Sequence, residues 1–237
     1  MMYQYIQYLS IVVLPLIFAI TLHEAAHGWM ANREGDPTAK LMGRLTLNPI
    51  AHIDLFGTII LPIMLIVLRS NMLFGYAKPV PVNFNNLRDR KKGMIYVAAA
   101  GPGINLILAV VSGIIYRTVI NSEPSLLLYI TRHSGFIPGG NMAVSVLVPI
   151  ILMLSFSVKI NVLLMVFNLI PIPPLDGGRI LTGLLPNKQS QTFSSIEPFG
   201  MIILMILIFM DPLGIMRNIL WPIIGIFTNY ILGDIVI

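Results

Sequence analysis
The stretch AVSVLVPIILMLSFSVKINVLLMVF (143–167) runs for 25 residues with a single charge, Lys159. About 20 apolar residues cross the hydrocarbon of a bilayer, and backbone in that medium must satisfy its own hydrogen bonds, as a helix does. MIYVAAAGPGINLILAVVSGIIY (94–116) and the segment from about Tyr8 to Met30 have the same character. Shorter apolar stretches follow at 58–68, 199–209 and 213–232. Only 11% of residues are charged and mean hydropathy is +0.85, against roughly a quarter charged in soluble domains. The expected fold is therefore an all-α polytopic membrane protein, a bundle of about five to six transmembrane helices. It is expected to form one integral membrane domain over 1–237, with a core at about 8–180 and C-terminal hydrophobic segments at about 197–235. The first apolar stretch lacks a basic leader and runs into polar chemistry, so it reads as a retained span.

The net charge of +5 is concentrated in short connections, at Arg33–Arg44 and at Arg88, Arg90, Lys91 and Lys92. Such clusters set topology at the cytoplasmic face and contact lipid headgroups; they do not indicate nucleic-acid binding. The first span then ends on the cytoplasmic side, and residues 168–179 return to the same level after the 94–116 and 143–167 spans. Residues 55–93 must leave that side and come back. Within them, Pro79 and Pro81 exclude a helix interior. An extended chain rising about 3.3 Å per residue recrosses in about ten residues, so GYAKPVPVN is expected to be a short intramembrane strand or re-entrant element. Residues 120–141 read as a polar loop.

One short motif breaks the hydrocarbon. In HEAAH, His23 and His27 lie four apart, so a helix projects both imidazoles from one face, with Glu24 beside them. Ionisable groups at membrane depth are costly and mark function. The chain has no cysteine, so a metal must be held by His, Asp or Glu. A catalytic zinc needs a third protein ligand; the candidates are His52, Asp54, His133 and Asp176. Asp176 is favoured, because PIPPLDGG is expected to be non-helical and to bring an acid to the level of His23. His52 more commonly satisfies loop backbone than lines a cavity, and His133 reads as surface. Lys159 either pairs with an acid such as Asp54 or snorkels. Asn105 and Asn168 end two spans at one level, where each either donates to a peptide carbonyl or joins helices.

HEAAH, AAAGPGIN and FNLIPIPPLDGGR occur in the order and spacing found in the site-2 protease family of intramembrane zinc metalloproteases, which residues 20–180 resemble. LNPIAHIDLFGT is similar to its short bacterial members, without PDZ or nucleotide-binding domain, and FGYAKPVPVN resembles the family's intramembrane strand. The resemblance implies one Zn2+ per chain on His23, His27 and Asp176, with Glu24 as general base. Asn105 and Asn168 would hold the scissile peptide. The expected function is a zinc endopeptidase that cleaves transmembrane segments of other proteins, in the cell membrane, with its active site toward the cytoplasm. Tyr76, Ala77, Lys78 and Val80 are expected to receive unwound substrate as an added strand. Two alternatives are a catalytically silent chaperone or scaffold, which would not need Glu24, and a metal-ion transporter, whose ligands would be spread across the bilayer.

Overall fold
The computed structural model describes residues 2–68, 75–132, 142–211 and 214–233. They form helices α1 (Met2–Glu34), α2 (Thr38–Leu41), α3 (Leu61–Val67), α4 (Arg90–Ser122) and α5 (Pro124–Arg132). After these come α6 (Met142–Asn168), α7 (Asp176–Leu184), α8 (Asn187–Ser194), α9 (Glu197–Met210) and α10 (Trp221–Leu232). Three helices are long and apolar enough to cross a bilayer, over Leu9–Glu34, Arg90–Ser122 and Val144–Asn168. A fourth span results if α8 and α9, bent by 62° at a short break, count together. The remaining apolar pieces, Leu55–Leu65 and the 12-residue α10, are shorter than the roughly 20 residues a straight crossing takes. The chain is a multi-pass membrane protein.

Two compact units are present: Met1–Ala19 with Asn105–Val166 and Leu220–Ile237, and Ile20–Ile104 with Phe167–Ile219. In the first, Tyr116, Val148, Ile151, Val158 and Val162 are buried. Its helices are joined by side-chain hydrogen bonds, Asn105 Nδ2 to Asn161 Oδ1 at 2.8 Å and Ser112 to Ser157 at 2.8 Å. Such bonds hold helices together where lipid supplies no hydrophobic drive. In the second unit, Ala31, Leu87 and Val97 form a buried cluster flanked by Met30, Val82 and Phe84.

Three sequence expectations change. Residues 75–83 are extended but irregular, and no strand is present among the described residues. Pro79 and Pro81 lack N–H groups, and the donors that remain go to separate elements. Tyr76 N–H bonds Gly57 O at 3.1 Å and Lys78 N–H bonds His52 O at 2.9 Å. Residues 120–141 are not all loop: α4 reaches Ser122 and α5 follows at once, with Pro124 as its first residue, where the missing N–H costs nothing. His133 lies outside the described residues. Finally, only 169–175 of the NLIPIPPLDGG stretch are non-helical, and Asp176 opens α7, where an acidic side chain suits the positive end of the helix. The glycines beyond it permit close packing. A Cβ on Gly177 would strike the Leu169 carbonyl, and one on Gly178 would strike the backbone of Pro173.

Candidate metal centre
One helical turn separates His23 from His27 on α1, so both rings project from one face. The ring centroids are 4.6 Å apart and nearly perpendicular, and the two Nε2 atoms approach to 3.0 Å. Asp176 completes a triangle, its Oδ2 lying 3.2 Å from His23 Nε2 and 3.3 Å from His27 Nε2. All three side chains are buried, and theirs is the group of convergent metal-type ligand atoms among the described residues.

Whether this triangle suits a metal can be tested on its own geometry. His27 Nδ1 lies 2.7 Å from the Val97 carbonyl, which can only accept, so Nδ1 carries the proton. In the neutral ring, Nε2 then offers a lone pair, and it faces a carboxylate oxygen. Asp176 Oδ2 is buried without an acceptable hydrogen bond. Acceptors facing acceptors away from water call for a proton or a metal cation between them, and the three-way convergence suits the metal. Tetrahedral zinc with ligands at about 2.0–2.1 Å separates them by roughly 3.3 Å, which matches the observed triangle. The donor set fits zinc.

The surroundings are built to hold these rings. Val97 fixes the His27 tautomer in the manner of an outer-shell ligand partner. Gly101, one helical turn further along α4, lies so close that an added Cβ would strike both His27 Nε2 and the His23 ring. Pro102 follows in the helix, removing a backbone donor next to this close approach. Sequence reading singled out neither Val97 nor Gly101; the run AAAGPG was the available signal, as small residues mark close helix contact.

Glu24 is half-buried beside the triangle. Its Oε2 accepts a 2.8 Å hydrogen bond from the Val80 N–H. The Val80 side chain lies 3.0 Å from where a Cβ on Gly28 would stand. Val80 thus packs on α1 one turn beyond Glu24 and fixes one carboxylate oxygen. Tyr76 and Lys78 are exposed and Ala77 half-buried.

The other candidates do different work. His52 is 2% exposed; its Nε2 donates to the Thr46 carbonyl at 2.9 Å, and its own carbonyl holds Lys78. Asp54 caps the following turn through Gly57 N–H at 2.7 Å. Asn105 also donates to the Ala19 carbonyl at 3.4 Å, and Asn168 is the last residue of α6. Asp36, unremarked in the sequence, is fully buried just beyond α1. Burial raises its pKa, but hydrogen bonds from Thr38, Asn86 and Asn83 outweigh this and hold it below the ordinary carboxylate value.

Comparison with known proteins agrees with this chemistry. The chain is 36% identical to "Putative zinc metalloprotease YwhC" of Bacillus subtilis over 90% of its own length and 85% of that protein's. It is 27% identical to "Putative zinc metalloprotease Rip2" of Mycolicibacterium smegmatis, over 86% of its length and 68% of the relative's. The Mycobacterium tuberculosis H37Rv protein of the same name is 29% identical over 83% of this chain and 65% of its own. No solved structure matches. Residues 11–210 match Peptidase family M50, so the chain belongs to that family, the site-2 proteases.

Proposed function
We propose that this protein is an intramembrane zinc endopeptidase in which His23, His27 and Asp176 hold one Zn2+ and Glu24 is the general base. The observation that carries the reading is the buried triangle of ligand atoms with Glu24 one residue from its first member. Zinc at such a site supplies a Lewis acid that polarises a carbonyl and brings the pKa of water down to about 7. Glu24, with Oε2 held by Val80, keeps its other oxygen to take the proton of the attacking water. It then returns that proton to the leaving amine. Burial of the three ligands excludes competing water.

A membrane-embedded substrate fits the surroundings. An apolar groove of about 360 Å³ is lined by Leu22, Ala26 and Trp29 of α1 and by Leu45 and Leu47. Helical substrate must unwind before a peptide bond is reached, and the extended 76–80 segment is the element we propose receives it. In extended backbone, alternate peptide groups face opposite sides. Tyr76 and Lys78 bond inward, so Ala77 offers the outer side for a substrate strand. Asn168, the last residue of α6, is proposed to steady the scissile peptide, whereas the buried Asn105 amide is already engaged by Asn161 and the Ala19 carbonyl. Arg33 in the last turn of α1 and Arg90, Lys91 and Lys92 opening α4 support a cytoplasmic orientation of this end, in the cell membrane.

The reading is tested by reconstituting wild type and Glu24→Gln in vesicles with a transmembrane substrate. Metal-dependent cleavage by wild type alone is expected. Transport of zinc across the vesicle membrane without cleavage would replace this reading with a transporter. Proteomics of cells carrying each form would then identify the natural substrates by the fragments that vanish.

A further inference from the structure
The general base depends on a hydrogen bond from a segment with no ladder to hold it in place. Val80 lies between two prolines on irregular chain, its side chain buried on α1, and its N–H must stay 2.8 Å from Glu24. Something must set the position of that segment along α1.

The turn immediately after α1 supplies it. Gly35, at φ +112, ends the helix, and Asp36 N–H closes back on the Ala31 carbonyl at 2.8 Å. This turns the Asp36 side chain inward, where it is completely buried. Its Oδ2 accepts from Asn83 N–H at 2.7 Å. Oδ1 accepts from Asn86 Nδ2 at 2.9 Å, from Thr38 N–H at 3.2 Å and from the Thr38 hydroxyl. One carboxylate thus joins the end of the metal-binding helix to the chain three residues beyond Val80. Arg88 N–H adds a bond to the Glu34 carbonyl at 2.9 Å, and Leu87 is buried against Ala31 and Val97. Asp36 holds the chain that follows Val80, while Arg44 Nη2 donates to the carbonyls of Lys78 and Pro79 before it, at 2.9 and 3.4 Å.

We propose that Asp36 is a positioning residue for catalysis, anchoring residues 83–86 to the end of α1 so that the Val80 N–H is held on the Glu24 carboxylate. It touches neither substrate nor metal and acts through Asn83 and Val80. A neutral amide is a poor substitute. Asn at position 36 has one acceptor oxygen, and its NH2 group would face the donors that Oδ1 or Oδ2 now receives. The proposal rests on Glu24 being the base, but its anchoring half is measurable without any turnover.

The test compares wild type, Asp36→Asn and Asn86→Ala as zinc-loaded full-length proteins in detergent. Amide hydrogen exchange is followed in residues 76–86 and in residues 94–104, alongside steady-state cleavage of a transmembrane peptide. In Asp36→Asn, exchange across 76–86 should quicken by about tenfold, the scale of a lost hydrogen bond to a charged group, while 94–104 is unchanged. Zinc content should stay at about one per chain, and kcat should fall by about tenfold with KM within about twofold. Asn86→Ala removes one exposed partner and leaves the carboxylate in place, so it should shift both readouts the same way by less. It carries the test if Asp36→Asn does not fold. Unchanged exchange at 76–86, or an equal rise at 94–104, overturns the anchor. Faster local exchange with unchanged kcat overturns its link to the base. Failure of the base assignment itself is seen separately, as turnover by Glu24→Gln.

Discussion
Glu24→Gln preserves the outline of the side chain and its bond from Val80 but cannot take a proton. We expect cleavage to fall by about 10²–10⁴-fold while metal analysis still finds zinc and the unfolding midpoint is kept. Val80 separates backbone from side chain. Because Pro81 already confines residue 80 to extended backbone, Val80→Pro deletes the N–H with little change of path. Val80→Ala keeps the N–H and loses only the contact over Gly28. Activity on a transmembrane peptide should therefore drop at least about tenfold in the first and stay near wild type in the second, with zinc retained in both. Gly101→Ala should do the reverse, expelling zinc by displacing two rings, as metal analysis after dialysis would show. The pairing of His23 with His27, proposed here as ligands, was legible in sequence because a four-residue spacing on a helix is a local pattern. The groups that hold His27 and Glu24 were not, since the Val97 carbonyl and the Val80 N–H are backbone groups that almost any residue supplies.

At the level of elements, Asp176 owes its place to the turn at 169–175 and to how closely α7 and α9 approach it. A Cβ on Gly200 would overlap the Pro173 carbonyl, so α9 lies directly on the turn. Gly200→Ala must push them apart. Overpacking of this kind costs about 1–3 kcal/mol, and we expect a lower unfolding midpoint together with weaker zinc retention in competition with a chelator. Loss of stability with undiminished zinc affinity would separate this packing from the metal centre. The long spans were readable because length and apolarity alone define them. Asp176 was found for a reason that held only in part: the prolines do interrupt the helix, but the helix resumes at the aspartate itself. Helix α5 was missed because it is only nine residues long, opens on Pro124 and follows α4 after a single residue, although its apolar side chains do recur at helical spacing. The 75–83 segment was rightly read as extended, but extended chain becomes a strand only with a partner, which a single sequence does not display.

For the molecule as a whole, the buried Asp36 ties acid sensitivity to the junction beyond α1. Its folded pKa lies below the unfolded value of about 3.9, so its contribution to stability is fully present above that pH. That contribution fades as pH falls through the lowered folded value. Unfolding midpoints measured downward from neutral pH should decline steeply in wild type over this acid window, and Asp36→Asn should flatten that limb. A slope unaltered by the substitution would assign the acid limb to other carboxylates. The spacing of the ligands along the chain bears on biosynthesis. Asp176 leaves the ribosome roughly 150 residues after His23 and His27. At about 5–20 residues per second, the interval is on the order of ten to thirty seconds. Throughout it a nascent chain carries the two imidazoles and the proposed base but not the proposed third ligand, so it would be inert toward the helices being inserted beside it. Activity would begin only once Asp176 has joined the two imidazoles.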